Sequence, residues 1–162
     1  MSARATLQPV RVHDGRGAVC WEVLESLPAW FGIPTAVESY VSAAADLPML
    51  ACFDAAGHVA GFASVKVQTA VAAEIHVMGV KPAWRRHGIG RISIEAAARL
   101  AVSQGAHYLT VKTLSPASPD PNYAATRAFY QAVGFLPIEE FPDLWGAHNP
   151  CLLMLRPLSN RP

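Results

Sequence analysis

Charge is scarce in this chain: 15% of its 162 residues are Asp, Glu, Lys or Arg, and they balance to a formal net charge of +1. Duplex nucleic acid needs a basic face to neutralise its phosphates, and no such face is indicated. Cysteine is scarce as well. Cys20, Cys52 and Cys151 lie far apart without a C-x-x-C pair, so their spacing supports neither a zinc ribbon nor a disulfide framework. Reduced thiols in a cytoplasmic protein fit that usage. The six histidines show no helical H-x-x-x-H spacing, so no metal is inferred. No run approaches the about 20 apolar residues of a membrane span, and MSARATLQPV lacks the apolar core of a signal peptide. The expectation is a soluble, intracellular protein with neither a membrane nor a nucleic-acid partner.

Apolar side chains are abundant, at 52% of the chain, which argues for a well-buried interior. At this length one domain over residues 1–162 is expected. Thr6 to Val12 alternates loosely as a first strand, and a helix over Ala18 to Ser26 stops before Pro28. The aromatic loop Leu27 to Pro34 follows, then a second helix over Thr35 to Ala45. Met49 to Phe53 and His58 to Val67 flank the turn Asp54-Ala55-Ala56-Gly57, which predicts a β-hairpin. Glu74 to Val80 is a third strand ending before Pro82, since proline cannot donate to a ladder. Ile89, Ile92, Ala96 and Leu100 then recur at helical spacing, with Gly105 as the C-cap.

His107 to Leu114 closes a strand, helix, strand unit that should be parallel and right-handed. A proline-rich loop leads to a helix from about Asn122 to Ala132, ended by Gly134. Strands over Leu136 to Glu140 and Leu152 to Arg156 complete the chain, leaving a short tail after Pro157.

The most informative stretch joins the third strand to the long helix, Glu74 to Gly90, EIHVMGVKPAWRRHGIG. Arg85-Arg86-His87-Gly88-Ile89-Gly90 places unpaired backbone N–H groups at a helix start, backed by the helix dipole and by cationic side chains. Such a start suits a phosphate, although an ordinary strand-to-helix turn would read similarly. A Rossmann dinucleotide site is disfavoured. No glycine or alanine stands at the third position of G-x-G-x-x-G, and Leu114, not an acid, ends the next strand. A G-K-S/T sequence is also missing, which excludes the Walker pattern.

This segment resembles motif A of the GNAT superfamily of acetyl-CoA-dependent N-acetyltransferases, Q/R-x-x-G-x-G/A, matched by Arg85, Gly88 and Gly90. Tyr123 to Phe135, with Phe129-Tyr130 and Gly134-Phe135, is similar to the family's motif B, F-Y-x-x-x-G-F. The resemblance implies an α/β (α+β) fold: a mixed, mainly antiparallel sheet of six to seven strands, splayed near the Glu74 and His107 strands, with helices on both faces. It also implies acetyl-CoA as cosubstrate. Arg85, Arg86, His87, Gly88, Ile89, Gly90 and Arg91 would hold its pyrophosphate, and backbone groups of Met78, Gly79 and Val80 would pair with its pantetheine arm. Where many members carry an asparagine for that arm this chain has Tyr123, so Asn122 either shifts into the role or caps its helix. The family often dimerises, which admits a homodimer.

Acetylating an amine requires a group that takes a proton from an ammonium, because only the neutral amine attacks a thioester. Glu74 is the candidate base, matching the strand glutamate of histone-acetylating members; the alternative is a solvated strand-end carboxylate. His76 shares its strand face by alternation and either relays a proton, orients substrate or fills the core margin. Tyr130 matches the family tyrosine that protonates the leaving thiolate, or else forms a core pair with Phe129. For the acceptor, Trp30, Phe31 and Tyr40 would wall the pocket, Glu38 would face a cationic amine, and Lys112 would bind an acidic group; each is equally readable as core or surface. The expected activity is direct acetyl transfer to a primary amine of unspecified identity. A non-catalytic CoA-binding sensor and a longer acyl donor are the alternatives.

Overall fold

The structure is a computed structural model that describes residues 7–159. Seven strands form one sheet in the order β1-β2-β3-β4-β5-β7-β6, with helices on both faces. These are β1 (Val10–Val12), β2 (Met49–Phe53), β3 (Val59–Val67), β4 (Ala72–Val80), β5 (Tyr108–Leu114), β6 (Leu136–Phe141) and β7 (Cys151–Pro157). The helices are α1 (Arg16–Glu25), α2 (Pro34–Ala44), α3 (Ile89–Ser103) and α4 (Pro121–Ala132). β4 and β5 pair in parallel, while β1–β2, β2–β3, β5–β7 and β6–β7 are antiparallel. The parallel register runs from Ala72↔Tyr108 to Ile75↔Val111, and both strands continue past its end. Among the described residues, no helix is long and apolar enough to cross a membrane.

The chain divides into two compact units, each assembled from two segments. One comprises the described residues up to Val65 together with Val77–Ala97. Its core joins Val23, Leu24 and Leu27 of α1 and the turn after it to Val37, Met49, Phe62 and Val77. Glycine permits that packing. A Cβ on Gly79 would lie 2.9 Å from Leu27 Cδ1 and Val23 Cγ1, and one on Gly61 would lie 2.9 Å from the Gly79 carbonyl and from Ile89 Cγ2. The other unit comprises Lys66–His76 and the described residues from Ala98 on. Its buried residues include Ile75, Leu109, Val111, Phe135 and Met154.

Several boundaries differ from the sequence expectation. The first strand is only three residues long, and Thr6, where it was expected to begin, lies outside the described residues, as do residues 160–162 of the tail. α1 begins two residues early, behind Gly15 in a left-handed conformation with no side-chain cap, so no capping residue marks the start. Asn122 does not cap α4. Asp120 does, its carboxylate accepting from the Asn122 N–H at 2.8 Å, with Pro121 in the first turn. Proline's fixed φ and missing N–H suit that position, which moves the cap back to the aspartate.

Candidate active site

β4 gives way at Lys81 to a short 3-10 turn over Pro82–Trp84, and Lys81 is anchored by its N–H to the Ala60 carbonyl and by its ammonium to Glu22 at 2.6 Å. Beyond the turn the backbone twists twice into the left-handed region, at Arg86 (φ 63°) and Gly88 (φ 75°). A non-glycine residue held there carries roughly 1–2 kcal/mol of strain. Such strain is characteristic of loops whose amides must point at a ligand. The first intrahelical bond of α3 runs from the Ile92 N–H to the Gly88 carbonyl, so the N–H groups of Ile89, Gly90 and Arg91 precede the helical ladder. A Cβ on Gly88 would meet nothing within 4 Å, so that corner of the loop is open.

Side chains brace the loop from one flank. The Arg85 guanidinium lies 4.8 Å from the centre of the Trp30 ring, a cation–π contact worth about 0.5–1 kcal/mol at an exposed position. His87 Nδ1 lies 2.8 Å from the Arg85 carbonyl, and its ring meets Trp84 edge-on at 5.3 Å. Trp30, Phe31 and Tyr40 pack as half-buried residues against the core around α1, with Phe31 and Tyr40 edge to face at 5.9 Å. Glu38 is exposed on α2. Met78 and Val80 are half-buried, and Gly79 is buried beneath α1.

In the other unit, parallel pairing sets Glu74 opposite Thr110, which brings Lys112 to the same face. The Lys112 ammonium donates to Glu74 Oε2, and His76 Nδ1 lies 3.7 Å from Glu74 Oε1. Glu74 is 6% exposed. Burial alone pushes its carboxyl up. The neighbouring His76 and the bonded Lys112 together outweigh that, and the carboxyl lies below its ordinary value. The distance to His76 exceeds that of a true hydrogen bond, so Lys112 is the firm partner. Lys112, read from sequence as binding an acidic group of the acceptor or the cofactor, donates here to Glu74.

Tyr130 sits in the last turn of α4, buried, with its ring 5.5 Å from those of Phe129 and Phe135. Asn122 lies in the first turn of the same helix, and its carbonyl accepts from the Thr126 hydroxyl at 3.1 Å. Arg127 donates to the Leu114 carbonyl at 2.7 Å, tying α4 to the end of β5. An open cavity of about 550 Å³, lined by Ser118, Pro119, Glu140, Asp143 and His148 among others, lies between the loop before α4 and the β6–β7 loop. Sequence reading missed it, because its lining comes from two loops whose proximity no local pattern announces.

The acetyltransferase (GNAT) family model matches residues 19–135, and the chain belongs to that family, an acyltransferase by class. Solved structures agree on the fold. A GNAT-family acetyltransferase from Desulfovibrio desulfuricans superposes with a TM-score of 0.82 at 16% identity, over 94% of this chain and 99% of that one. An aminoglycoside 6'-N-acetyltransferase complexed with coenzyme A gives 0.70 at 16%, over 94% and 99%. A GNAT acetyltransferase from Elizabethkingia anophelis with acetyl-CoA bound gives 0.73 at 12%, over 96% and 100%. No curated protein matches the sequence at a significant level.

Proposed function

We propose that this protein transfers acetyl from acetyl-CoA directly to a primary amine of a small molecule or peptide. The observation that carries the donor is the loop from Arg85 to Arg91, with left-handed Arg86 and Gly88 ahead of the open first turn of α3. A pyrophosphate fits its amides and cations, with room at Gly88. Two solved neighbours hold CoA or acetyl-CoA, which supports the same donor. Met78 to Val80 and Asn122 are the residues assigned to the pantetheine arm.

Acetyl-CoA supplies the acetyl group as a thioester. The protein's task is to manage protons. An amine reaches neutrality by giving its proton to the Glu74 and His76 pair, and the Tyr130 hydroxyl protonates the departing sulfur. Trp30, Phe31, Tyr40 and Glu38 are assigned to the acceptor side. No cysteine is needed as a nucleophile. Cys20 and Cys151 are buried and their thiols are pushed up to about 12 and about 11, chiefly by burial, so neither is a ready thiolate.

The test is CoA thiol release from acetyl-CoA across a panel of polyamines, aminoglycosides, amino acids and peptides, run beside direct acetyl-CoA binding. Turnover on at least one amine is expected, with Tyr130→Phe lowering kcat by about 10-fold or more and leaving acetyl-CoA affinity intact. Binding without turnover on any amine would replace the enzyme by a CoA sensor. Faster turnover with a longer acyl-CoA would reassign the donor.

A further inference from the structure

The Glu74, His76 and Lys112 cluster divides the labour of proton transfer in a way the sequence leaves open. We propose that His76 takes the acceptor's proton and that Glu74 is a positioning residue, held by Lys112 and setting the charge beside the imidazole. The inference rests on the acetyl-transfer reading above and assigns its base.

The geometry separates the two groups. Glu74 is buried, with its side chain 8% exposed, and its Oε2 is engaged by the Lys112 ammonium; the His76 side chain is 24% exposed. Protonating Glu74 would leave a partly buried ammonium beside a neutral acid and would forfeit the ion pair. That is the unfavourable direction for a base. The lowered carboxyl of Glu74 points the same way, since a weaker base is poorer at deprotonating an ammonium near neutral pH. Protonating the imidazole leaves the Glu74–Lys112 ion pair in place. The Glu74 carboxylate, 3.7 Å from Nδ1, stabilises the imidazolium as it forms.

Glu74, two residues along the same strand, bears on that imidazole and is itself held by Lys112 on β5. Lys112, bonded to Glu74 Oε2, offsets part of the Glu74 charge. Protons and bonds close as follows. The ammonium proton passes to His76, the neutral nitrogen forms the C–N bond as the C–S bond breaks, and the sulfur takes the Tyr130 proton. The second proton on nitrogen restores the tyrosine, and His76 returns its proton to water.

The experiment compares pH profiles of kcat/KM on a working amine for wild type, His76→Gln, His76→Ala, Glu74→Gln and Lys112→Met, each with its acetyl-CoA affinity as a check on folding. Wild type should lose activity on the acid side as its base becomes protonated. His76→Gln should lower kcat about 100-fold or more and abolish that limb at unchanged acetyl-CoA affinity, with added imidazole restoring rate to His76→Ala. Glu74→Gln should move the limb to lower pH with a loss of only about 10-fold, and Lys112→Met should move it to higher pH. Loss of the limb in Glu74→Gln with rate and limb kept in His76→Gln overturns the assignment. A wild-type protein that turns over no amine overturns the acetyl-transfer reading itself, a result distinct from any pattern among the variants.

Discussion

Glu74 shows how one residue can be costly to bury and still stabilise the fold. Its carboxylate leaves water almost completely, and the Lys112 ammonium, supported by His76, compensates it. Because its folded pKa lies below the unfolded one, the unfolded chain takes up a proton first as pH falls. The stabilisation is therefore complete above the ordinary glutamate range, about 4.3, and is lost as pH falls through and below it. Glu74→Gln should flatten the dependence of unfolding free energy on pH between about 5 and 3 in urea titrations. At neutral pH it should cost about 1–2 kcal/mol, since Lys112 loses its partner but stays partly hydrated. An unchanged slope below pH 5 would mean that the ion pair contributes nothing to folding.

At the scale of elements, α4 depends on its first turn. Asp120 caps it, Pro121 fixes its opening φ, and Arg127 anchors its middle to the end of β5, so that Tyr130 is presented from a helix fixed at both points. Asp120→Ala should cost about 1 kcal/mol by chemical denaturation, whereas Asp120→Asn, which keeps an accepting oxygen, should cost little. Equal losses in the two variants would show that the aspartate acts through its charge and not as a cap. Local pattern made much of the chain legible. β2 was readable to the residue because an apolar run meets a glycine turn, and the same-face pairing of Glu74 and His76 follows from a period of two. What was illegible needs register or tertiary contact. The Lys112–Glu74 bond joins residues 38 apart, and Arg85 meets Trp30 across 55 positions of chain. The Asp120-Pro121-Asn122 cap was visible in sequence, but the missing family asparagine drew attention to its neighbour.

For the whole molecule, near-neutral net charge decides how anions are recognised. At +1 overall, the protein has no long-range field to collect polyanions, so affinity for a phosphorylated donor must come from the local amides and cations between Arg85 and Arg91. Binding to the folded state alone then stabilises by mass action, about 2.7 kcal/mol at 100 times Kd. For a chain of this size that is roughly 5–10 °C in Tm. Differential scanning fluorimetry with acetyl-CoA should show such a shift, and a short DNA duplex at the same phosphate concentration should show none. A comparable shift with DNA would mean that phosphate charge alone is being read. No shift with acetyl-CoA at millimolar concentration would remove the loop from the donor site, because a cradle strained at Arg86 would then hold no ligand to justify the strain.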